Sequence, residues 1–341
     1  MNHKFFISKM LAFIVLAGTA FAMNANTGQN INLYSDKDWS IGLGVQTGIS
    51  NGETREFVYT FEYPDANLGR HRTLSELIWP KKDIYLAGGV LSAQYINRLF
   101  LNMGYWKKIS SSTGKMQDRD WLDDISFEYP SHFSEHAAEL ENCKMWDINL
   151  AWTFYRWDGN TINSLLPWVP VESNVDFQLV AGYKHDELKW NSTGGYLNYW
   201  WGYYNEFEPE GEDAISYEYI TKTPYLGGAI NLTSGDLSLN VFGIFTSKMN
   251  IDTIDHHFHR DLLIKDKFTD ADFWSIGTNL KWDFSKHWSL IGSYLYEKTK
   301  EVQGDGTYID TANNAILLFH RNGKGFSNKA QTVSVSVAYR Y

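Results

Sequence analysis

The chain of 341 residues has one cysteine, seven prolines and, after its first residues, no long apolar run. The single cysteine, Cys143, excludes an intramolecular disulfide. No later stretch approaches the ~20 consecutive apolar residues of a transmembrane helix, so helical membrane spans are excluded. Positive charge is also scarce, and the formal net charge of −10 does not suggest nucleic-acid binding. Aromatic residues are instead abundant, with 14 Trp, 21 Tyr and 20 Phe.

The first 22 residues have the three parts of a secretory signal. Lys4 and Lys9 supply positive charge, residues 10–17 are apolar, and Ala20-Phe21-Ala22 is a cleavage site of the A-x-A type. We therefore predict a signal peptide over residues 1–22 and one mature domain over residues 23–341, because no linker or change of composition divides the rest. Export, many aromatic residues and a single cysteine favour a bacterial outer-membrane β-barrel over a soluble enzyme.

Alternating side chains predict the strands of this barrel. From Val333 to Tyr341, odd positions are apolar or aromatic and even positions are small or polar. This pattern is typical of a strand between lipid and a polar lumen that ends on an aromatic residue at the membrane interface. The same alternation recurs along the chain and predicts an all-β fold, a ten-stranded antiparallel transmembrane β-barrel. The strands are expected at roughly 38–63, 73–95, 99–117, 143–156, 174–191, 214–232, 237–256, 268–284, 288–302 and 329–341.

The connections between these strands differ in length at the two ends of the barrel. Tight turns are predicted near residues 95–98, 233–236 and 285–287, and a somewhat longer connection at 157–171. Long polar connections are predicted at 64–72, 117–139, 192–213, 259–267 and 304–328. Short turns at one end and long extracellular loops at the other are typical of outer-membrane barrels.

Two pairs of reactive side chains fall at strand ends on the long-loop side. Asp118 and Asp120 form one pair, and Asp255 and His257 form the other. Because the members of a pair are two residues apart, a strand points both to the same side. Two carboxylates opposite an Asp–His pair could activate water, since the pKa of histidine, about 6.5, is close to neutral pH. Glu56 ends the first strand at the same rim, and alternation turns it inward.

Two further consequences follow from the pattern. Asp118 and Asp120 cannot both ionise without cost if they lie close together, so we expect one of them to have a raised pKa.

In addition, odd-numbered residues face lipid along residues 237–245, and the same alternation, continued along the strand, would point Asp255 and His257 outward. We therefore expect a β-bulge between Thr246 and Asp255.

The two segments are similar to the catalytic segments of the omptin family of outer-membrane proteases. Residues Gly114–Asp123 resemble the first, and Asp255-x-His257 followed by Phe258 resembles the second. The resemblance covers essentially the whole mature chain. It implies a bacterial outer-membrane location with the active site facing outward, and an endopeptidase that cleaves peptides and proteins near basic residues by means of an activated water.

The resemblance also implies roles for individual residues. Asp255 and His257 would activate the water, and Asp118 and Asp120 would hold it or the developing oxyanion. Glu56 would line the pocket for a basic side chain, and the residues flanking that pocket would be Met116 and Ile215.

Two departures from the family pattern alter these expectations. The family commonly has a second acid two residues before its catalytic aspartate, where this chain has Thr253, so we expect a shallower preference for basic residues. The family also binds lipopolysaccharide on its outer wall, where Tyr183 is retained but His185 and Glu187 replace the expected residues. Lipopolysaccharide remains a candidate activating lipid. The resemblance implies no metal and no other cofactor.

Other interpretations remain open. Exposed loops rich in tyrosine and tryptophan, such as residues 196–204, would suit a non-proteolytic adhesin or invasin. A narrow channel is another alternative, with a lumen plugged by Gln46, Asp176, Gln178 and Asn240. His257 and His259 could begin a zinc site but lack a clear third ligand. The G-x-S-x-G match at residues 48–52 is not that of a serine hydrolase, because strand rather than helix is predicted after it.

Overall fold

The structure, a computed structural model, describes residues 38–60, 72–122, 129–159 and 173–341. The predicted signal peptide and most of the connections at 64–72 and 157–171 lie outside these ranges. The strands within them are β1 (Trp39–Tyr59), β2 (Thr73–Tyr95), β3 (Leu99–Lys108), β4 (Thr113–Asp120), β5 (His132–Trp157), β6 (Ser173–Tyr199), β7 (Tyr204–Ser234), β8 (Leu237–His257), β9 (Leu262–Asp283), β10 (Trp288–Asp310) and β11 (Ala315–Arg340). Two short 3₁₀ turns, Trp200–Gly202 and Phe258–Arg260, interrupt this order. None of the described residues belongs to a helix that is long and apolar enough to cross a membrane.

The described strands form one antiparallel sheet that closes into a ring. β1 pairs with β2 on one side and with β11 on the other, so that Val45 lies between Gly89 and Val337. β3 and β4 share one place in the ring, between β2 and β5. The eleven described strands therefore fill ten positions, which confirms the predicted ten-stranded antiparallel barrel.

The two faces of the sheet differ as the alternation predicts. Toward the tight turns, the outward side chains are apolar, as at Leu43 and Val45 on β1, and they form an exposed band around the barrel. Beyond the band, outward positions carry charges such as Lys115 and Lys222. The lumen is filled by polar side chains that bond across strands, and the four predicted lumen residues are all buried: Gln46, Asp176, Gln178 and Asn240.

The strands continue past the band farther than the sequence predicted. β6 and β7 pair as far as Tyr199 and Tyr204, and β10 and β11 as far as Asp310 and Ala315. Most residues of the predicted connections at 192–213 and 304–328 therefore belong to paired strands of two long β-hairpins. Glycines and charges in these segments resemble loop composition, but antiparallel pairing satisfies their backbone N–H and C=O groups equally well in water.

A β-bulge on β8 turns the predicted Asp–His pair into the lumen. Even-numbered residues face inward up to Thr246, and odd-numbered residues do so from Met249 onward. The register against β9 shifts at this point, where one extra residue is accommodated. The expected bulge is confirmed, and because of it Asp255 and His257 face the interior.

A second bulge lies beside the first, on β9. Inward positions there are even-numbered before Asp270 and odd-numbered after it, and the φ of Asp270, 59°, is left-handed. Lys248 Nζ, in the β8 bulge, lies 2.8 Å from Asp270 Oδ1 in the β9 bulge. The second bulge brings Asp266 into the lumen, a residue that the alternation of β9 did not mark as inward.

The bulge can be tested by cysteine scanning. Single cysteines at Ser247 and Lys248 should both react with a maleimide, since both positions are exposed, whereas cysteines at Thr246 and Met249 should be protected. The native Cys143 is buried and should not react. Labelling of the refolded barrel would measure the pattern. Strict alternation through these four positions would contradict the bulge, because a regular strand cannot expose two consecutive residues on one face.

Candidate active site

The four predicted catalytic residues lie at the rim of the barrel beyond the apolar band. Asp118 and Asp120 end β4, and Asp255 and His257 end β8. β4 pairs with β2 and β5, whereas β8 pairs with β7 and β9, so the two pairs belong to different parts of the wall. Both pairs nonetheless lie on the inward face of the barrel, since Asp118 and Asp120 share the parity of the buried Met116 and Asp255 is itself buried.

The Asp255–His257 pair is joined by a hydrogen bond. His257 Nε2 lies 2.8 Å from Asp255 Oδ2, and Asp255 is almost fully buried. Burial alone would lower the pKa of His257, but the charge and hydrogen bond of Asp255 outweigh burial and raise that pKa above its usual value. Since Nε2 is engaged with the carboxylate as donor, Nδ1 is the ring nitrogen left to accept a proton.

The Asp118–Asp120 pair behaves as a coupled diacid. Burial, followed by the charge of Asp120, raises the pKa of Asp118 to about 8, despite the opposing effect of His257. Burial also raises the pKa of Asp120, although hydrogen bonds to Ser75 and Asp118 favour its ionised form. Ser75 Oγ donates to Asp118 Oδ1 at 3.1 Å. Both carboxyl groups of the pair therefore have a raised pKa, whereas the sequence predicted a raised pKa for one of them.

An aromatic layer closes the lumen beneath the site. Tyr217, which pairs in register with Asp255, stacks on Trp79 with ring centroids 5.4 Å apart. Trp190 packs against both rings and donates from Nε1 to the carbonyl oxygen of Pro80 at 2.9 Å. These rings separate the rim from the polar lumen below, so that charges at the rim are poorly solvated from beneath.

The residues predicted to flank the specificity pocket are buried near this layer. Met116 is fully buried on β4, two residues before Asp118. Ile215 is buried on β7 and lies opposite His257 in the strand register. Both positions suit the apolar walls of a pocket, since they remove water from the groups beside them.

Glu56 faces the interior as predicted, but it is already paired. Lys324 Nζ donates to Glu56 Oε1 at 2.7 Å, and both side chains are inaccessible to solvent. Lys324 Nζ also lies 3.8 Å from Asp266 Oδ2. Burial, then the charge of Asp255, raises the pKa of Glu56 to about 8, although Lys324 favours the ionised form. Burial similarly raises the pKa of Asp266 to about 6.

Asp266 and Lys324 were missed in the sequence. Asp266 lies opposite Thr253 in the register of β8 and β9, and Thr253 Oγ1 donates to Asp266 Oδ2 at 3.1 Å. A second acid is therefore present at the level of Thr253, supplied by the neighbouring strand. No alternation pattern could identify it without the β9 bulge, and Lys324 gave no signal because it was predicted to lie in a loop.

His259 does not extend the Asp–His pair into a metal site. It is exposed in the 3₁₀ turn after β8, with Nε2 3.9 Å from Glu208 Oε1 and Nδ1 3.9 Å from Glu212 Oε1. In the described part of the chain, no group of three or more histidine, cysteine, aspartate or glutamate side chains has the arrangement of a metal site.

The predicted lipid-contact residue Tyr183 lies on the outer wall. Its ring stacks on Trp146, with centroids 5.4 Å apart, and His185 also stacks on that tryptophan, at 5.5 Å. The nearby cations are partly neutralised, since Lys144 pairs with Glu187 and Lys222 with Asp252, each at 2.9 Å.

Several known proteins are similar to this chain over almost its whole length. Related proteins include the plasminogen activator of Yersinia pestis, 26% identical over 328 residues and 96% of both chains, and protease 7 of Escherichia coli K12, 21% identical over 98% of this chain and 99% of its own. The outer membrane protease IcsP of Shigella flexneri is 23% identical over 100% of this chain and 96% of its own.

A solved structure and a family model extend the comparison. The crystal structure of the outer membrane protease OmpT from Escherichia coli has the same fold, with a TM-score of 0.76 at 20% identity over 89% of this chain and 97% of that chain. The model of the omptin family matches residues 37–341 of this chain. The chain therefore belongs to the omptin family of bacterial outer-membrane proteases.

Proposed function

We propose that this outer-membrane endopeptidase hydrolyses peptide bonds with a water activated by Asp255 and His257, assisted by Asp118 and Asp120, and that it cleaves peptides and proteins near basic residues. The observation that supports the mechanism best is the hydrogen-bonded Asp–His pair at the same rim as Asp118 and Asp120, whose pKa values are raised by burial. The rim lies beyond the apolar band, so the site faces the extracellular side and is open to external substrates.

The histidine is the general base. His257 Nδ1 takes a proton from water while Nε2–H donates to Asp255, which fixes the tautomer and stabilises the imidazolium. The water oxygen bonds to the peptide carbonyl carbon and gives a tetrahedral oxyanion. The imidazolium then returns the proton to the leaving amine as the C–N bond breaks. The products are a carboxylate and an amine, and no bond forms between enzyme and substrate.

The diacid stabilises the charge that develops on the substrate. A protonated Asp118 can donate a hydrogen bond to the oxyanion, as a carboxyl group does when its surroundings keep it neutral. Such a bond is stronger in the tetrahedral state than in the ground state, because the acceptor becomes charged. Asp120 holds the shared proton in place through its hydrogen bond with Asp118.

Substrate preference follows from the acids around the site. Glu56 and Asp266 place two carboxylates in one buried pocket beside the Asp–His pair, with Asp255 adding to the negative potential at Glu56. A pocket of this kind favours a basic side chain over an acidic one. The net charge of −10 adds a weaker long-range attraction for basic peptides.

Outer-membrane lipid is the second proposed partner. The rings of Tyr183, Trp146 and His185 form a stacked aromatic cluster on the outer wall. Lipopolysaccharide could lie against this cluster, but the cations Lys144 and Lys222 are already paired with acids. We therefore expect lipopolysaccharide to modulate activity rather than to be required for it.

An adhesive role is the second candidate function. The hairpin of β6 and β7 extends beyond the site and exposes large aromatic side chains, with Tyr203 92% and Phe207 77% accessible. Such residues suit attachment to a surface. Cleavage of a basic peptide by the refolded protein would separate the protease from an adhesin without activity.

The first prediction concerns the base. His257→Ala and Asp255→Ala should each lower kcat by roughly 10²–10⁴-fold, because general-base catalysis is lost. His259→Ala is a matched control in the adjoining turn and should stay within about threefold of the native enzyme, since His259 touches no reacting group. Peptidase kinetics and the heat-dependent gel shift of the folded barrel would measure activity and folding. Near-native turnover of folded His257→Ala would refute the mechanism.

The second prediction concerns the diacid. Asp118→Asn and Asp120→Asn should each reduce kcat/KM, and the double variant should lose less activity than the product of the two single effects, because the two carboxyl groups share one proton. A double-mutant cycle on one peptide substrate would measure the coupling. Strictly multiplicative effects would show that the two residues act independently.

The third prediction is a bell-shaped pH profile. Activity should rise as His257 loses its proton, at a pH above the usual pKa of about 6.5, and fall as Asp118 loses its proton near pH 8. Asp118→Asn cannot ionise, so its profile should keep the acid limb and lose the alkaline limb at reduced overall rate. The same alkaline limb in Asp118→Asn would assign that limb to another group.

A further inference from the structure

The acidic pocket at the rim contains a cation supplied by the chain itself. Lys324, on β11, has a side chain that is completely buried. Its ammonium group lies 2.7 Å from Glu56 Oε1, 3.8 Å from Asp266 Oδ2 and 5.5 Å from the ring centroid of Tyr308. Three strands besides its own therefore hold this group, namely β1, β9 and β10.

The backbone leaves room for the lysine. A Cβ atom at Gly306 on β10 would lie 2.7 Å from Cγ of Lys324, so any side chain at residue 306 would displace the aliphatic part of the lysine. The buried path of the lysine toward the acids thus depends on a glycine on the adjacent strand. This arrangement is a specific cradle rather than an incidental contact of a surface side chain.

Lys324 neutralises the pocket only in part. Two carboxylates, those of Glu56 and Asp266, face one ammonium group. Glu56 Oε2 and Asp266 Oδ1 are buried and have no hydrogen-bond partner among the described residues. A basic side chain that enters can therefore still find acceptors, but it must share both acids with Lys324.

We propose that Lys324 is a specificity-determining residue, an internal competitor that occupies the cation position of the acidic pocket and reduces discrimination between basic and neutral residues before the cut bond. The inference rests on the proposed function, because that function makes the pocket a substrate subsite. It also gives a structural cause for a shallow basic preference, whereas the absence of an acid at Thr253 does not, since Asp266 replaces that acid.

A purely structural counterion would behave differently. Removing such a counterion would destabilise the rim and reduce cleavage of every substrate by a similar factor. Removing a competitor instead changes the ratio of two substrates that differ only in the side chain that enters the pocket. This ratio is therefore the informative quantity, and the absolute rate is not.

The experiment uses the refolded full barrel and two peptides that differ only in arginine or norleucine before the cut bond. Lys324→Ala should raise the arginine-to-norleucine ratio of kcat/KM by about ten- to a hundredfold, the effect of one charge-assisted hydrogen bond. Lys324→Gln is the second variant. It removes the charge, retains a donor for Glu56 and should raise the ratio in the same direction.

Two control variants make the test specific. Lys81 is another buried lysine of the lumen, bonded to Tyr219 Oη at 2.8 Å rather than to the pocket acids, and Lys81→Met should leave the ratio unchanged. Adding Glu56→Gln to Lys324→Ala should remove most of the gained preference. Glu56→Gln should lower the ratio less in the native protein than in the Lys324→Ala variant, because Lys324 already uses part of the charge of Glu56.

The outcomes separate the inference from the function on which it rests. An unchanged ratio in folded Lys324→Ala and Lys324→Gln, with norleucine peptide still cleaved, would overturn the role of Lys324 and leave the protease intact. Failure of both variants to give the folded, heat-modifiable band would also overturn it, because Lys324 would then be a structural counterion. Absence of cleavage of both peptides by the native enzyme would instead contradict the proposed function.

Discussion

The burial of carboxylates at one rim is the constraint on which the site depends. Charged carboxylates lose hydration there, and the aromatic layer around Trp79 and Tyr217 prevents solvation from below. Each acid must therefore find a cation, share a proton or lose its charge. The chemical roles proposed for the acids depend on which of these solutions each one has.

Three environments give similar side chains different properties. Asp255 is paired with His257, Glu56 is paired with Lys324, and the pKa of Asp118 is raised to about 8 by burial and by the charge of Asp120. Separation of acids by their surroundings is a common way for one site to hold both a proton acceptor and a proton donor near neutral pH. The paired bulges on β8 and β9 are part of this arrangement, because they turn the partner strands inward above the apolar band.

Much of the fold could be predicted from the sequence because lipid on one side and polar lumen on the other impose a period of two. This alternation of side chains predicted the ten strand positions of the ring and the inward direction of Glu56. It could not show the extended hairpins, whose two faces both meet water. The alternation along β8 would have aimed Asp255 outward, and this conflict revealed the β8 bulge. The bulge on β9 created no such conflict in the sequence, so Asp266 was not identified. Lys324 could not be identified because a buried ion pair between strands far apart in the sequence leaves no local pattern.

The central claim is that the rim of this barrel cleaves peptide bonds. The most direct measurement is to incubate the refolded protein, in vesicles of outer-membrane lipid, with a diverse peptide library and to map every cut by mass spectrometry, beside Asp255→Asn folded under the same conditions. The account predicts cuts that cluster near basic residues with a shallow preference and that are absent or nearly absent in the variant. Equal cleavage by both proteins, or no cleavage by the native protein, would contradict it.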